Sequence, residues 1–103
     1  MNFKRISVPE AQELLQTNPG TQIIDIRDEE SFAAGHIESA THIHNNNVQE
    51  FISGADRNQP LLVCCYHGNS SQSAAAYFAE QGFDESYSLD GGFEAWQEVA
   101  PES

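Results

Sequence analysis

Cys65 is the residue in this sequence best placed to do chemistry. It follows a continuous apolar run at 61–64 and precedes the polar hexapeptide Tyr66-His67-Gly68-Asn69-Ser70-Ser71. The hexapeptide is too polar for a core segment, and Gly68 lets the backbone curl so that successive amide N–H groups face inward. Such a loop binds anions, and the nearest anion is the thiolate of Cys65.

A helix beginning near Ser71 would direct the positive end of its dipole at the same sulfur, which lowers the pKa of a thiol from about 8.5. A thiolate is the form that attacks a sulfur–sulfur bond. The product, a persulfide, is again an anion that the same amides can hold. We therefore predict a nucleophile at Cys65 and a substrate-binding loop at 66–71. The alternative is an ordinary buried thiol at a strand end.

Other reactive residue types near the loop have simpler interpretations. Cys64 lies inside the apolar run, where we expect a small core side chain and not a redox partner. His67 is interpreted first as a loop-shaping or substrate-proximal residue and second as an acid or base. Ser70 and Ser71 either hydrogen-bond the sulfur anion or cap the next helix.

The charged and imidazole side chains elsewhere predict structural roles. Asp25 and Arg27 follow a strand, and an inter-loop ion pair that orders the rim is favoured over catalysis. His36 is expected to bond to backbone in its turn. His42 and His44 alternate along a strand without a matching cysteine or carboxylate cluster, so we expect no metal site. We expect no cofactor.

A phosphatase is the main competing enzyme class. The tyrosine phosphatases also place a cysteine in an amide cradle, but their Cys-x5-Arg loop ends in an arginine that grips phosphate oxygens. Ser71 occupies that position here, and no Lys or Arg follows Cys65. Transfer of a sulfane sulfur needs less charge compensation than binding of a phosphoester dianion.

The composition predicts one domain over residues 1–103. With 16 acidic residues against 4 Lys and Arg, the formal net charge is -12, which makes nucleic acid an unlikely partner. The N-terminus shows neither a secretory h-region nor a membrane span. The two cysteines are adjacent, which suits neither a disulfide between distant segments nor a zinc site. We expect a cytoplasmic protein in a reducing compartment.

Strands and helices alternate along the chain, which predicts a parallel α/β sheet. The uninterrupted apolar run at 61–64 indicates a strand covered on both faces. Ser7 and Asp28 are plausible helix N-caps, and Phe93 and Trp96 are expected to anchor a closing helix in the core. The sequence further predicts helices at 8–16, 28–34, 45–53 and 71–81, strands at 21–26 and 86–89, and a short apolar run at 40–43.

Three motifs resemble those of single-domain rhodaneses, in the family's order and over the span from Ile6 to Gln97. They are Asp25-Ile26-Arg27 with Phe32-Ala33-Ala34-Gly35-His36-Ile37, the loop at 65–71, and Leu89-Asp90-Gly91-Gly92-Phe93-Glu94-Ala95-Trp96. The resemblance implies a rhodanese-like fold, a five-stranded parallel sheet with helices on both faces. It further implies a thiosulfate sulfurtransferase, with a persulfide on Cys65, thiosulfate as donor, and cyanide or dithiols such as reduced thioredoxin as acceptors.

The lack of cationic residues near the loop motivates an alternative, a protein-docked persulfide carrier or redox-sensing module with little activity on free thiosulfate. Fast steady-state transfer from thiosulfate to cyanide by the isolated protein would exclude it.

The resemblance also generates a prediction at Gln72. In the family a basic residue often follows the loop, where it can help bind the sulfonate end of thiosulfate, whereas this chain has Gln72. We predict that Gln72→Lys lowers the KM for thiosulfate at low salt. Added salt should shrink the difference because it screens exposed charges over a Debye length of about 10 Å at 0.1 M. An unchanged KM at low salt would remove this explanation.

Overall fold

Five parallel strands form one sheet, and helices lie on both of its faces. The structure is a computed structural model and describes residues 3–99. The strands are β1 (Lys4–Ile6), β2 (Gln22–Asp25), β3 (Thr41–His42), β4 (Leu61–Cys64) and β5 (Ser86–Leu89). The helices are α1 (Val8–Thr17), α2 (Glu29–Ala34), α3 (Val48–Gly54), α4 (Ser70–Glu80) and α5 (Gly92–Val99).

The strand order is β1-β5-β4-β2-β3, and every pairing is parallel. β4 is therefore the middle strand, with β2 and β5 as its neighbours. This confirms the five-stranded parallel sheet, and it places the carboxyl end of β4 where parallel α/β sheets commonly bind their ligands.

The side chains of β4 alternate between two hydrophobic clusters, one on each face of the sheet. Leu62 and Cys64 join the face covered by α1 and α5, whereas Leu61 and Val63 join the face covered by α3 and α4. All four are buried, which explains why the run is apolar throughout. The helix residues in these clusters are Val8, Ala11, Phe93 and Trp96 on the first face and Ile52, Ala75 and Phe78 on the second.

Two helix starts lie where the sequence predicts them. Ser7 caps α1 in a capping box, in which its hydroxyl accepts from the Glu10 amide and the Glu10 carboxylate accepts from the Ser7 amide at 2.8 Å. Asp28 caps α2 by accepting from the Ser31 amide at 3.0 Å. Both short polar side chains satisfy N–H groups that the first helical turn leaves unpaired.

The expectations differ from the structure at three elements. No strand was predicted at β1, a three-residue edge strand whose side chains are largely exposed, so it has no apolar pattern. Helix α3 begins at Val48, not at Asn45, because the Asn47 side chain accepts from the His44 amide at 2.8 Å and closes a turn before the helix. Helix α4 begins at Ser70 and its N-cap residue is Asn69, so neither Ser70 nor Ser71 is the cap.

Arg27 forms an ion pair as expected, but its partner is Asp25, two residues earlier in the same segment, so the pair does not join two loops, and it is buried instead of ordering an exposed rim. Arg27 Nη2 lies 2.7 Å from Asp25 Oδ2 and 2.6 Å from the carbonyl oxygen of Gly35. Asp25 is fully buried and Arg27 nearly so. The pair joins the end of β2 to the end of α2 with all charges compensated. Between residues 3 and 99, none of the helices has the length and apolar character needed to cross a bilayer.

The capping box at Ser7 gives a stability prediction. Ser7→Ala removes the side-chain partner of the Glu10 amide, and a lost N-cap costs about 1 kcal/mol. Urea denaturation should show a lower midpoint with an unchanged slope. The control is Ser53→Ala, which changes an exposed serine inside α3 and should leave the midpoint close to that of the native protein. Equal midpoints for the two variants would contradict a capping role.

Candidate active site

Cys65 follows the last residue of β4, and residues 66–69 form the loop that leads into α4. Cys65 is 3% exposed, so it lies at the floor of the loop. This position follows from the sheet order, because the middle strand ends between the loops that follow its two neighbours. The predicted nucleophile thus lies at the edge of the sheet where helices begin.

Backbone amides of the loop point at the sulfur. The amide nitrogen of Gly68 lies 3.2 Å from Cys65 Sγ, and that of Ser71 lies 3.3 Å from it. The amide of His67 also favours the ionised form of the sulfur, more weakly than these two. Ser71 is the second residue of α4, so its N–H is one of those that the helix leaves unpaired. The predicted cradle of inward-facing amides is present.

These donors decide the protonation state of the cysteine. Burial alone would raise the pKa of Cys65, but the Ser71 hydroxyl and the backbone amides of Ser71, Gly68 and His67 together outweigh burial. The pKa of the thiol is therefore below its ordinary value, because each donor stabilises the thiolate more than the thiol. Ser71 Oγ lies 3.3 Å from the sulfur.

The loop carbonyls face the other way, toward donors outside the cradle. The Phe93 amide donates to the carbonyl oxygen of Cys65 at 2.7 Å, and the Glu94 amide donates to that of Tyr66 at 3.2 Å. Both donors lie in the first turn of α5, where helical N–H groups need partners. With the carbonyls held outward, the intervening amides turn inward.

Gln72 supplies a third outward contact, because its side-chain amide donates to the carbonyl oxygen of Gly68 at 2.9 Å. Gln72, which stands where the family often has a basic residue, thus helps to hold the loop. A lysine at this position would retain a donor for the same carbonyl.

Two glycines allow α5 and the loop to approach this closely. Gly68 has φ +90°, and a Cβ there would lie 2.8 Å from the amide nitrogen of Gly91. Gly92 has φ +60°, and a Cβ there would collide with the carbonyl oxygens of Cys65 and Tyr66. Both positions combine a left-handed backbone with no room for a side chain, which is the situation that requires glycine.

The aromatic and imidazole side chains of the loop point away from the sulfur's hydrogen bonds. Tyr66 Oη lies 2.7 Å from Ser31 Oγ on α2, and the Tyr66 ring is 44% exposed. His67 Nδ1 lies 2.9 Å from a carboxylate oxygen of Glu94, and both side chains are exposed. These contacts fit a loop-shaping role for His67. Asn69 precedes α4 as its N-cap residue, without a side-chain cap bond.

The nearest cation to the loop is already neutralised. The guanidinium of Arg27 lies 5.8 Å from the centroid of the Tyr66 ring and 4.2 Å from that of Phe93, but it is paired with Asp25. Stabilisation of a sulfur anion therefore rests on hydrogen-bond donors. His36 Nδ1 lies 2.8 Å from the carbonyl oxygen of Phe32, which confirms its expected backbone contact.

The sequence interpretation missed Ser88, a buried residue of β5. Its Oγ lies 2.8 Å from Ser71 Oγ, so it is joined to the cysteine through one hydroxyl. A small polar residue in a buried strand is the signal that could have identified it, because an unexplained buried hydroxyl needs a partner.

Comparison with known proteins finds rhodanese-like relatives over most of the chain. The family described as rhodanese-like domain matches residues 7–99. The chain is 59% identical to the thiosulfate sulfurtransferase GlpE of Pseudomonas aeruginosa, with 96% of this chain and 88% of the relative covered. It is 58% identical to the protein of that name from Ectopseudomonas mendocina, covering 96% and 89%. A rhodanese-like domain protein from Staphylococcus aureus superposes with a TM-score of 0.78 at 26% identity, covering 90% of each chain.

The close packing at Gly92 gives a prediction about the thiol. Gly92→Ala should push the loop carbonyls away from α5 and release the amides from the sulfur, so the pKa of Cys65 rises. The thiolate exists above the pKa, so the pH profile of alkylation by iodoacetamide should move to higher pH. Stability should fall by at least about 1 kcal/mol from the left-handed backbone alone.

Gly54→Ala is the matched control, because a Cβ at Gly54 meets nothing within 4 Å. It should change neither the alkylation profile nor the stability appreciably. A Gly92→Ala profile that coincides with the native one would show that α5 does not hold the cradle in place.

Proposed function

The chain belongs to the family of rhodanese-like domains, and from this membership we propose that it is a thiosulfate sulfurtransferase that carries the transferred sulfur as a persulfide on Cys65. The observation that carries the proposal is the set of amides and the hydroxyl directed at Cys65 Sγ. The loop residues 66–71 form the proposed substrate-binding site, mainly through their backbone.

In the first half-reaction the Cys65 thiolate attacks the outer sulfur of thiosulfate. A bond forms between Cys65 Sγ and that sulfur, and the sulfur–sulfur bond of thiosulfate breaks. Its electron pair leaves with sulfite, so no external oxidant or reductant is needed. The total charge of -3 on thiolate and thiosulfate is conserved in the persulfide anion and sulfite.

In the second half-reaction an acceptor attacks the outer sulfur of the persulfide. With cyanide the products are thiocyanate and the Cys65 thiolate, and with a thiol the product is an acceptor persulfide. In both cases the electron pair of the broken bond returns to Cys65 Sγ. The donors that lower the pKa of Cys65 also make it a good leaving group, because they stabilise the thiolate that departs. One set of hydrogen bonds therefore serves both half-reactions.

The cradle accounts for anion binding in a chain of net charge -12. Hydrogen bonds to an ionised acceptor contribute about 1.5–3 kcal/mol each, and they act at contact distance. The repulsion by exposed carboxylates is screened beyond about 10 Å at 0.1 M salt. Once thiosulfate is bound, its hydrogen bonds to the loop therefore outweigh the long-range repulsion by the exposed carboxylates.

We further propose that the acceptor is cyanide or a dithiol such as reduced thioredoxin. The reaction is proposed to take place in the cytoplasm, since thiol acceptors and a reactive thiolate both require a reducing compartment.

The adjacent cysteines provide the test of the persulfide. After treatment with thiosulfate, mass spectrometry of the native protein should show the added mass of one sulfur atom on the peptide that contains Cys65. Cys65→Ser should abolish both sulfur uptake and turnover. Cys64→Ser is the matched control, because Cys64 is buried in the core with a raised pKa, and it should retain uptake. Turnover by Cys65→Ser would refute the assignment.

A parallel assay with cyanide and with a dithiol separates the enzyme from a docked carrier. Fast thiosulfate-dependent turnover with the isolated protein supports the enzyme. A protein that takes up one sulfur but turns over slowly with both acceptors would instead match the carrier.

A further inference from the structure

A buried chain of two hydroxyls leads from the sheet to the cysteine. Ser88 Oγ on β5 lies 2.8 Å from Ser71 Oγ on α4, and Ser71 Oγ lies 3.3 Å from Cys65 Sγ. Ser71 and Ser88 are both 0% exposed, so both hydroxyls are shielded from the solvent at the protein surface. In the part of the chain that the structure describes, the only hydrogen-bond partner of the Ser88 hydroxyl is Ser71.

That single partner sets the direction of the chain. A buried hydroxyl hydrogen without an acceptor is costly, so the Ser88 hydrogen must point at Ser71 Oγ. The contact between the two oxygens holds one hydrogen, so the Ser71 hydrogen points elsewhere. Its other neighbour at hydrogen-bond distance is Cys65 Sγ, which donates to Ser71 Oγ as a neutral thiol and accepts the Ser71 hydrogen once the sulfur is ionised. A sulfur that receives this donor is favoured as an anion, because a thiolate is the stronger acceptor.

We propose that Ser88 is a positioning residue, which orients and polarises the Ser71 hydroxyl so that it donates to the sulfur of Cys65. The proposal rests on the function proposed for Cys65 and assigns part of its reactivity to a residue outside the loop. Donors in series strengthen one another, so the bond from Ser71 to the sulfur is stronger with Ser88 present.

The same strand provides a matched control at Ser86. Ser86 lies two residues before Ser88, so both side chains are on the face that packs against α4. Ser86 is 2% exposed, and its hydroxyl donates to the carbonyl oxygen of Ala75 at 2.8 Å. Ser86→Ala therefore removes a buried hydroxyl and its bond to the same helix, without touching the chain that leads to Cys65.

Other titratable groups surround the cysteine on the neighbouring elements, and they are the same in both variants. They are Cys64 on β4, the Asp25–Arg27 pair after β2, His67 in the loop, Asp90 after β5 and Glu94 on α5. A difference between the variants therefore reports the hydroxyl chain and not these groups.

The experiment measures the pH midpoint of Cys65 alkylation in the native protein, Ser88→Ala, Ser86→Ala, Ser71→Ala and the Ser71→Ala, Ser88→Ala double variant. Removing the Ser88 hydroxyl should weaken the ionisation constant of the thiol about 2- to 10-fold, as expected for one hydrogen bond, and so move the midpoint to higher pH. Ser71→Ala should shift it at least as far. Ser86→Ala should leave it in place, and circular dichroism should show that all five proteins are folded.

The double variant decides how Ser88 acts. If Ser88 works through Ser71, the double variant should have the midpoint of Ser71→Ala alone. The proposal is overturned by an unmoved midpoint in Ser88→Ala, by an equal shift in Ser86→Ala, or by additive shifts in the double variant. Sulfur uptake by the native protein is measured separately, so a failure of the proposed function is distinguishable from a failure of this role for Ser88.

Discussion

The site depends on a single backbone constraint, which is that the loop after β4 must turn its amides toward one atom and its carbonyls away from it. A peptide chain cannot do this without partners for both kinds of group, because buried backbone donors and acceptors must be paired. Two helix N-termini provide them. α4 directs the Ser71 amide at the sulfur, and the first turn of α5 donates to the carbonyls of Cys65 and Tyr66. N–H groups that the two helices would otherwise leave unpaired are thus used to build the cradle.

This arrangement explains why the protein can hold a sulfur anion without a basic side chain in the loop. The donors are peptide groups fixed by the sheet and by two helices, so little reorganisation accompanies the arrival of charge. The buried Asp25–Arg27 pair contributes through packing, since its guanidinium lies against the rings of Phe93 and Tyr66 while its charge is matched. The net charge of the protein and the electrostatic potential at Cys65 are therefore separate properties, and catalysis depends on the potential at Cys65.

The sequence was sufficient to predict a strand at 61–64 that is covered on both faces and a loop whose amides face Cys65, and for physical reasons. The apolar run at 61–64 indicates a strand buried on both faces of a parallel sheet, and the polar Gly-containing hexapeptide before a helix indicates a loop of inward-facing amides. β1 was missed because an exposed three-residue edge strand has no periodicity. The role of α5 could not be derived either. The hydrogen bonds of Phe93 and Glu94 to the loop cross more than twenty residues, and only tertiary packing creates them. The contact of Ser88 with Ser71 also forms only in the folded chain, although a serine in a buried strand indicates that its hydroxyl needs a partner.

The adjacent cysteines have different chemical surroundings because Cys64 ends a strand and Cys65 begins the loop that follows it. Cys64 is the last residue of β4 and points into the core beside α1 and α5, where burial and the Asp25 carboxylate raise the pKa of its thiol. Cys65 is one residue later, where the strand has ended and donors from the loop and from α4 converge. Successive side chains of a strand face opposite ways, so the two sulfurs are held in different surroundings although their residues are neighbours. Cys64 is the neighbouring thiol that could otherwise attack a persulfide on Cys65. Because Cys64 remains protonated and buried while Cys65 reacts, it is kept apart from the sulfur that Cys65 carries.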